Sequence, residues 1–239
     1  MSKKTKVYDR TYLPLFIVLD RSASMYKRIG DSDKTRMEAL NELVPAIIDA
    51  CREHPTLNDR LRLSVIIFSD TAESIVNMVE AAGFNGVPDF DAMGDTSYSS
   101  AFKCVKKEIE KACHLLKTDV NVGVYRPTVF FFTDGEPNDS NADRNSTWND
   151  LTSLDFTYRP NFFTFGIGEA KKDIIKDYKS GKNGMVFVQK ESSNVADAIK
   201  EIIPTLVQSI VSSQIRAGSG GIIIDPNVVK EFDFVDEDD

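Results

Sequence analysis

Apolar residues along the chain follow two alternating patterns. Compact apolar runs are typical of strands buried on both faces of a sheet, and they occupy 13–19, 61–69, 127–133, 161–167 and 185–188. Segments in which apolar residues recur every three or four positions are typical of amphipathic helices, and they occupy 36–51, 102–116, 171–178 and 194–213. Strands that alternate with helices predict an α/β fold with a doubly wound, mostly parallel sheet and helices on both faces.

One further apolar run, at 73–79, differs from the others in its spacing. It begins only a few residues after the strand at 61–69, whereas a parallel crossover takes a dozen residues or more. We therefore predict that it forms a single antiparallel strand at the edge of the sheet. In the last helix, Pro204 predicts a kink, and the segment 136–159 is interpreted as a polar insert.

Composition divides the chain into one domain with two flanking segments. We predict an N-terminal lead at 1–12, the α/β domain at 13–213, and a flexible linker with an acidic C-terminal tail at 214–239. The last boundary lies where the sequence changes to the glycine-rich stretch 217–221 and then to carboxylates.

Charge restricts the class of partner, and cysteine content and the lengths of the apolar runs restrict the compartment. The chain has 29 Lys and Arg against 37 Asp and Glu, a formal charge of -8, which repels nucleic acid and anionic lipid. Cys51, Cys104 and Cys113 are odd in number and lie in helical patterns, which favours reduced thiols. The basic residues 1–6 precede no apolar segment, and every apolar run is far shorter than a membrane span. We expect a cytoplasmic protein with no nucleic-acid or membrane partner.

Oxygen-bearing side chains follow the strands that the pattern places in the centre of the sheet. Asp20, Ser22 and Ser24 stand at alternate positions after the first strand, and Asp134 follows the strand at 127–133. Thr96 lies between them in the chain, just before a helix. Ligands of open α/β sheets bind beyond the carboxyl ends of the strands, where the strand order reverses. We therefore expect these five side chains to meet at that edge.

A site made only of oxygen donors predicts a hard cation. Mg²⁺ is the first candidate and Mn²⁺ or Ca²⁺ the next, because the site offers neither imidazole nor thiolate to zinc or copper. Three hydroxyls and two carboxylates leave room for water or a guest on an octahedral ion. An Asp or Glu of a protein partner could fill that position, since the ion would be the largest local charge.

Three motifs resemble, in this order, the metal-ion-dependent adhesion site (MIDAS) of von Willebrand factor type A (VWA) domains and of integrin inserted domains: Asp20-x-Ser22-x-Ser24, Gly94-x-Thr96 and Thr133-Asp134-Gly135. The resemblance covers about 14–213 and implies a Rossmann-like VWA fold that mediates protein–protein interaction. It also implies that Ser22, Ser24 and Thr96 coordinate the metal directly, while Asp20 and Asp134 act through water. A partner would donate the remaining acidic ligand.

Two details of these motifs resemble a narrower group. Met25 follows the second serine, and Glu136 and Pro137 follow the motif of Asp134. Both features are similar to intracellular bacterial VWA proteins of the tellurium-resistance-associated type, whose relatives are associated with kinases and phosphatases. The resemblance implies a scaffold or adaptor in a bacterial stress or signalling complex, with a kinase, phosphatase or ATPase subunit as the partner. Ala23 stands where the family often has glycine.

Simpler interpretations exist for single residues of the set. Asp20, Asp134, Ser22 or Ser24 could each cap a helix or a turn, and Thr96 could be the N-cap of the following helix, with Ser97 as the rival ligand. His54 and His114 stand apart and are interpreted as ordinary helix residues. The acidic residues 236–239 could remain solvated or fold back onto the metal.

An enzyme is the competing class of function. An aspartate that ends the first strand, with a hydroxyl and a second aspartate nearby, also describes magnesium-dependent phosphohydrolases that would use Asp20 as the nucleophile. Such enzymes generally need a second acid two residues later, where this chain has Ser22, and a lysine at the rim, which the sequence does not predict. We therefore favour a binding module without catalytic activity.

Overall fold

The computed structural model describes residues 8–29, 34–117, 119–215 and 222–235. Its strands are β1 (Arg10–Asp20), β2 (Leu61–Phe68), β3 (Ala72–Val79), β4 (Val122–Val124), β5 (Thr128–Thr133), β6 (Asn161–Gly166), β7 (Val186–Gln189) and β8 (Phe232–Phe234). Its helices are α1 (Arg36–Arg52), α2 (Pro55–Arg60), α3 (Tyr98–Leu116), α4 (Asn141–Thr152), α5 (Lys172–Ile175) and α6 (Val195–Ile215).

The described strands form one sheet with a reversal of strand order at its centre. The order is β3-β2-β1-β5-β6-β7-β8, and β4 pairs with the first residues of β1. Successive strands run outward from β1 on one side and from β5 on the other, so the reversal lies between these two strands. Five neighbouring strands of the sheet pair in parallel, in the order β2, β1, β5, β6 and β7. This pairing confirms the predicted doubly wound, mostly parallel architecture.

Helices cover both faces of this sheet. Helices α1 and α6 bury their apolar faces in one core, and α3, α4 and α5 contribute to the other. The phenylalanine run of β5 shows how the strand serves both, because Phe130 and Phe132 lie in the first core and Phe131 in the second. Every residue of β5 is buried, as the unbroken apolar pattern predicts for a central strand. Helix α6 continues through Pro204.

The predicted antiparallel edge strand is confirmed. Strand β3 pairs antiparallel with β2, and only three residues separate the two strands. A connection of that length allows a hairpin but no crossover. Burial agrees with the position, because β2 is buried throughout, whereas β3 is mostly partly buried and only Val76 in it is buried.

The polar insert contains a helix that the hydrophobic pattern does not reveal. Helix α4 begins after Ser140, whose hydroxyl accepts a hydrogen bond from the backbone N of Asp143. Only Thr147 and Leu151 are buried on it, so its sequence lacks the apolar stripe that identifies the other helices. Local capping and one packed aromatic, Trp148, hold the helix against the second core.

The prediction of a flexible tail from 214 onward is wrong for the residues that the structure describes there. Strand β8 pairs antiparallel with β7, and Ile222, Ile224 and Phe232 are buried in the first core. These apolar side chains lie beyond the glycine-rich stretch, which the composition argument weighted more heavily than the burial they offer. The sheet therefore has an antiparallel strand at each edge. At the other end of the chain, β1 begins at Arg10, inside the predicted lead.

Two sequence predictions fall outside the described residues. They are the glycine-rich linker at 217–221 and the idea that 236–239 fold back onto the metal. Within the described ranges, no helix is long and apolar enough to cross a membrane.

Truncating Phe232 tests whether the C-terminal strand belongs to the domain. Phe232 is buried against Phe165, so Phe232→Ala is expected to lower the free energy of unfolding by about 3 kcal/mol. The neighbouring Asp233 has an exposed side chain, and Asp233→Ala should change the free energy of unfolding by less than about 0.5 kcal/mol. Urea unfolding of the two variants makes the comparison. Equal small effects would show that β8 contributes nothing to stability.

Candidate metal centre

The two aspartates of the predicted site lie at the reversal of strand order. Asp20 is the last residue of β1, and Asp134 follows the end of β5. The two strands are hydrogen-bonded neighbours in which Leu19 pairs with Phe132, so their carboxyl ends lie side by side. Both aspartates are buried, with at most 1% of their surface exposed. The topology thus brings together two acids that are 114 positions apart in the chain, as their numbering shows.

Serine hydroxyls join the two strand ends. The Oγ atoms of Ser22 and Ser24 are 3.0 Å apart. The Ser24 hydroxyl donates a hydrogen bond to Oδ1 of Asp134 at 2.6 Å. The loop after β1 therefore curls so that its two serines face the carboxylate at the end of β5.

Thr96 reaches the same space from a third loop. A Cβ atom built on Gly135 would lie 3.2 Å from Oγ1 of Thr96 and 3.5 Å from Oγ of Ser24. Both hydroxyls therefore face the small volume that this glycine leaves open. All five predicted site residues meet at one edge of the sheet, because Ser22, Ser24, Thr96 and Asp134 line one surface cavity of about 390 Å³ and Asp20 lies directly beneath it.

Backbone hydrogen bonds hold the three loops together. The N–H of Ala23 donates to the carbonyl of Gly94 at 2.9 Å, and the N–H of Asn138 donates to the carbonyl of Thr96 at 2.9 Å. Gly94 has a φ of 73°, and a Cβ there would clash with the carboxylate of Asp70. The Gly94 position thus requires glycine for both its conformation and its packing.

The carboxylate of Asp20 is held from below the cavity. Its Oδ1 accepts a hydrogen bond from the backbone N of Ser22 at 2.8 Å, and its Oδ2 accepts one from Oγ1 of Thr133 at 2.7 Å. Burial, and then repulsion by the charge of Asp134, raise the pKa of Asp20 to about 7 from its ordinary value of 3.8. A cation at this edge would relieve that repulsion.

A buried arginine, which the sequence analysis missed, pairs with the second aspartate. Nη1 of Arg36, at the start of α1, lies 2.7 Å from Oδ2 of Asp134. Only 9% of the Arg36 side chain and none of the Asp134 side chain is exposed. Nη2 of Arg36 lies 3.5 Å from Oε1 of the exposed Glu169. A single arginine at the start of an amphipathic helix carries no sequence signal of such a role.

Tyr98 and Thr133 form a second supporting contact. The Tyr98 hydroxyl lies 3.0 Å from both Oγ1 of Thr133 and the carbonyl oxygen of Gly135. Since Thr133 also donates to Asp20, this chain of hydroxyls braces the turn that carries Asp134. Tyr98 follows Thr96 by two residues in the sequence, but nothing in the pattern marks it.

The structure also decides between several of the simpler interpretations. Ser97 is the N-cap of α3, and its hydroxyl accepts from the backbone N of Ser100, so Thr96 is not needed there. Ser22 makes no side-chain cap bond although it precedes a 3-10 helix. Met25, which follows the second serine, is buried in the first core and offers no surface to a partner.

One expectation about the rim is wrong. Lys171 lines the cavity, although the sequence pattern predicts no lysine there, because the loop after β6 reaches this edge. Its amine forms an ion pair with Glu136.

The arrangement of donors fits a small divalent cation. At metal–oxygen distances near 2.1 Å, neighbouring ligands of an octahedral Mg²⁺ are roughly 3 Å apart, and the Ser22 and Ser24 hydroxyls have a separation of 3.0 Å. Across the described ranges, no group of three or more His, Cys, Asp and Glu side chains could hold a metal. A cation at this edge would therefore depend on hydroxyl ligands.

Comparison with known families assigns the chain to a domain family. The sequence profile described as von Willebrand factor type A domain matches residues 15–136, which is just over half of the chain and includes Asp20, Ser22, Ser24, Thr96 and Asp134. The chain belongs to the von Willebrand factor type A domain family. Members of this family commonly mediate protein–protein interactions. Among curated proteins, no sequence matches this VWA domain.

Solved structures share the fold at low sequence identity. A von Willebrand factor type A protein from Catenulispora acidiphila aligns with a TM-score of 0.60 and 17% identity over 82% of this chain and 42% of its own. The pilus adhesin SpaC from Lactobacillus rhamnosus GG aligns with a TM-score of 0.64 and 12% identity over 87% of this chain and 31% of its own. The SpRpn10 VWA domain aligns with a TM-score of 0.55 and 13% identity over 80% of this chain and 95% of its own. The VWA domain described here thus spans less than half of the first and second of these proteins.

Proposed function

We propose that this VWA domain binds one divalent cation, Mg²⁺ first and Mn²⁺ or Ca²⁺ next, and uses it to bind an acidic side chain of a protein partner. The observation that carries the proposal is the convergence of Ser22, Ser24 and Asp134, whose oxygen atoms lie 2.6 to 3.0 Å apart along the group. When bound, the cation supplies a strong positive centre to which a carboxylate oxygen can bind.

The five residues of the proposed site have different roles in binding the cation. Ser22, Ser24 and Thr96 present neutral hydroxyl oxygens to the cavity and are the proposed direct ligands. Asp20 and Asp134 supply the negative charge beneath and beside them, and their hydrogen bonds orient the serine loop. Because the proposed direct protein ligands are neutral, the cation can still bind the carboxylate of a partner as a charged ligand.

A binding role accounts for Asp20 better than a catalytic one. Both oxygens of Asp20 accept hydrogen bonds from the chain, and the residue is fully buried, so neither oxygen is placed to attack a phosphate. The position two residues later holds Ser22 instead of an acid, and Lys171 is paired with Glu136. We therefore propose that the domain has no catalytic activity.

For the biological setting, we propose a cytoplasmic adaptor in a bacterial stress or signalling complex, with a kinase, phosphatase or ATPase subunit that exposes an Asp or Glu as partner. The resemblance of the motifs around Met25 and Glu136 to VWA proteins of the tellurium-resistance-associated type supports this proposal. The net charge of -8 supports a protein partner over a polyanion.

Affinity capture tests metal-dependent recognition. Immobilised wild-type protein is incubated with a lysate of its source organism in Mg²⁺ or in EDTA, beside a Ser22→Ala, Ser24→Ala double variant. The matched control is Ser153→Ala, Asp155→Ala, a double change in the loop before β6 at the opposite edge of the sheet, where the Ser153 hydroxyl accepts a hydrogen bond from the backbone N of Asp155. We expect partners that bind wild type and control in Mg²⁺ only, with about tenfold less recovered by the double variant. Equal recovery in all arms contradicts the proposal.

A further inference from the structure

The ion pair between Arg36 and Asp134 places a positive charge beside the proposed cation site. Oδ1 of Asp134 accepts a hydrogen bond from Ser24 on the cavity side, and Oδ2 faces Nη1 of Arg36 at 2.7 Å. The arginine is therefore in contact with the same carboxylate that supplies negative charge to the cavity. Arg36 itself does not line the cavity, so it acts on the site through Asp134.

The surroundings hold the guanidinium group in this position. A Cβ on Gly168 would lie 2.6 Å from Cζ of Arg36, so the group packs directly on that glycine. Glu169, the next residue, contacts Nη2 of Arg36 and also forms an ion pair with Lys27. Thr35 and Glu38 form a capping box at the start of α1, which fixes the backbone from which Arg36 extends. Swinging the arginine away would break packing and two ion pairs.

We propose that Arg36 is a built-in competitor for the cation, a positioning residue that lowers the affinity of the free domain for divalent metal. This inference rests on the proposed metal site. Without Arg36, Asp20 and Asp134 would present two negative charges to the cation, and Arg36 reduces that total by one. Because Arg36 is nearly buried, solvent screens its charge far less than it screens a surface residue.

The positive charge of Arg36, which weakens cation binding, strengthens binding of an acidic partner. A divalent cation balances the two aspartates, and Arg36 then leaves the loaded site with a surplus of one positive charge. That surplus favours the carboxylate of a partner. Arg36 thus couples the two events: metal binds the free domain weakly, and metal and acidic partner together bind well.

Calorimetric titration with Mg²⁺ and with Mn²⁺ tests the inference on the full chain. Arg36→Gln should bind the cation at least about tenfold more tightly than wild type, because a full charge close to a divalent ion is removed. Arg36→Lys, which keeps the charge, should stay near the wild-type affinity. Arg62→Gln is the matched control. Arg62 is a similarly buried arginine that pairs with Glu80, and it lies at the amino end of β2, away from the cavity at the carboxyl ends of the strands.

A second measurement covers the loss of fold stability that Arg36→Gln is expected to cause. The rise in thermal midpoint on adding Mg²⁺ reports the affinity even for a weakened fold, and it should be larger in Arg36→Gln than in wild type. A variant that binds Mg²⁺ as weakly as wild type, or more weakly, would overturn the role of Arg36 while leaving the metal site intact. No binding of Mg²⁺ or Mn²⁺ by either wild type or Arg36→Gln would overturn the metal site and the inference together.

Discussion

Replacing Asp134 with alanine is expected to lower the free energy of unfolding by about 3–5 kcal/mol in metal-free buffer. The change removes the carboxylate from a buried ion pair and leaves the Arg36 guanidinium, which is 9% exposed, without its main partner. Ser24 loses its hydrogen-bond acceptor at the same time. A buried charge without a partner costs far more than a surface charge, so this effect should exceed that of the other site substitutions.

Glu169→Ala is the matched control for that effect. It removes the second carboxylate near Arg36, but the Glu169 side chain is 60% exposed and 3.5 Å from the guanidinium. Its loss should cost at most about 1 kcal/mol. Urea unfolding of both variants in EDTA makes the comparison. If Asp134→Ala is no more destabilising than Glu169→Ala, the buried ion pair does not hold this edge of the sheet together.

Asp20→Asn is expected to stabilise the metal-free protein at pH 8, although it removes a residue of the proposed site. Burial and the charge of Asp134 raise the pKa of Asp20 to about 7 in the folded chain, compared with an ordinary value of 3.8. Between these two values the folded chain holds a proton that the unfolded chain has released. The free energy of unfolding should therefore decrease as the pH rises from about 4 to about 7, and stay low above that.

The asparagine variant lacks this titration, so its advantage should be absent near pH 4 and reach roughly 2–4 kcal/mol at pH 8. Its amide keeps an acceptor for Ser22, and the Thr133 hydroxyl can rotate to accept from the amide. Added Mg²⁺ should stabilise wild type at pH 8 and have little effect on the variant. Wild-type stability that stays constant from pH 5 to pH 8 in EDTA would contradict the account of Asp20.

The sequence predicts the centre of the fold better than its margins, for a physical reason. Central strands such as β1 and β5 are buried on both faces, so their apolar runs are unbroken and easily recognised. Helix α4 is held by an N-cap and a few contacts, which leave no periodic pattern. Strand β8 has three residues and depends on its pairing with β7, which only the folded chain brings close.

The residues of the candidate site also differ in how well the sequence predicts them. Asp20, Ser22, Ser24, Thr96 and Asp134 could be predicted, because strand ends and loop motifs mark them in the sequence. The residues that position them could not, since Arg36 and Tyr98 reach the site only through tertiary packing of α1 and α3. The metal ligation itself remains a prediction, which the geometry of the hydroxyls supports.

Diffraction from crystals grown with Mn²⁺ shows whether a cation binds at this edge of the sheet, since manganese gives an anomalous signal that locates the ion. We expect one strong anomalous peak in the cavity, about 2.1 Å from the hydroxyl oxygens of Ser22 and Ser24, with Thr96 and Asp134 beside it. Crystals of the Ser22→Ala, Ser24→Ala variant, grown in the same way, should lack that peak. A wild-type map with no peak at this edge of the sheet would contradict the claim that these oxygens hold a cation.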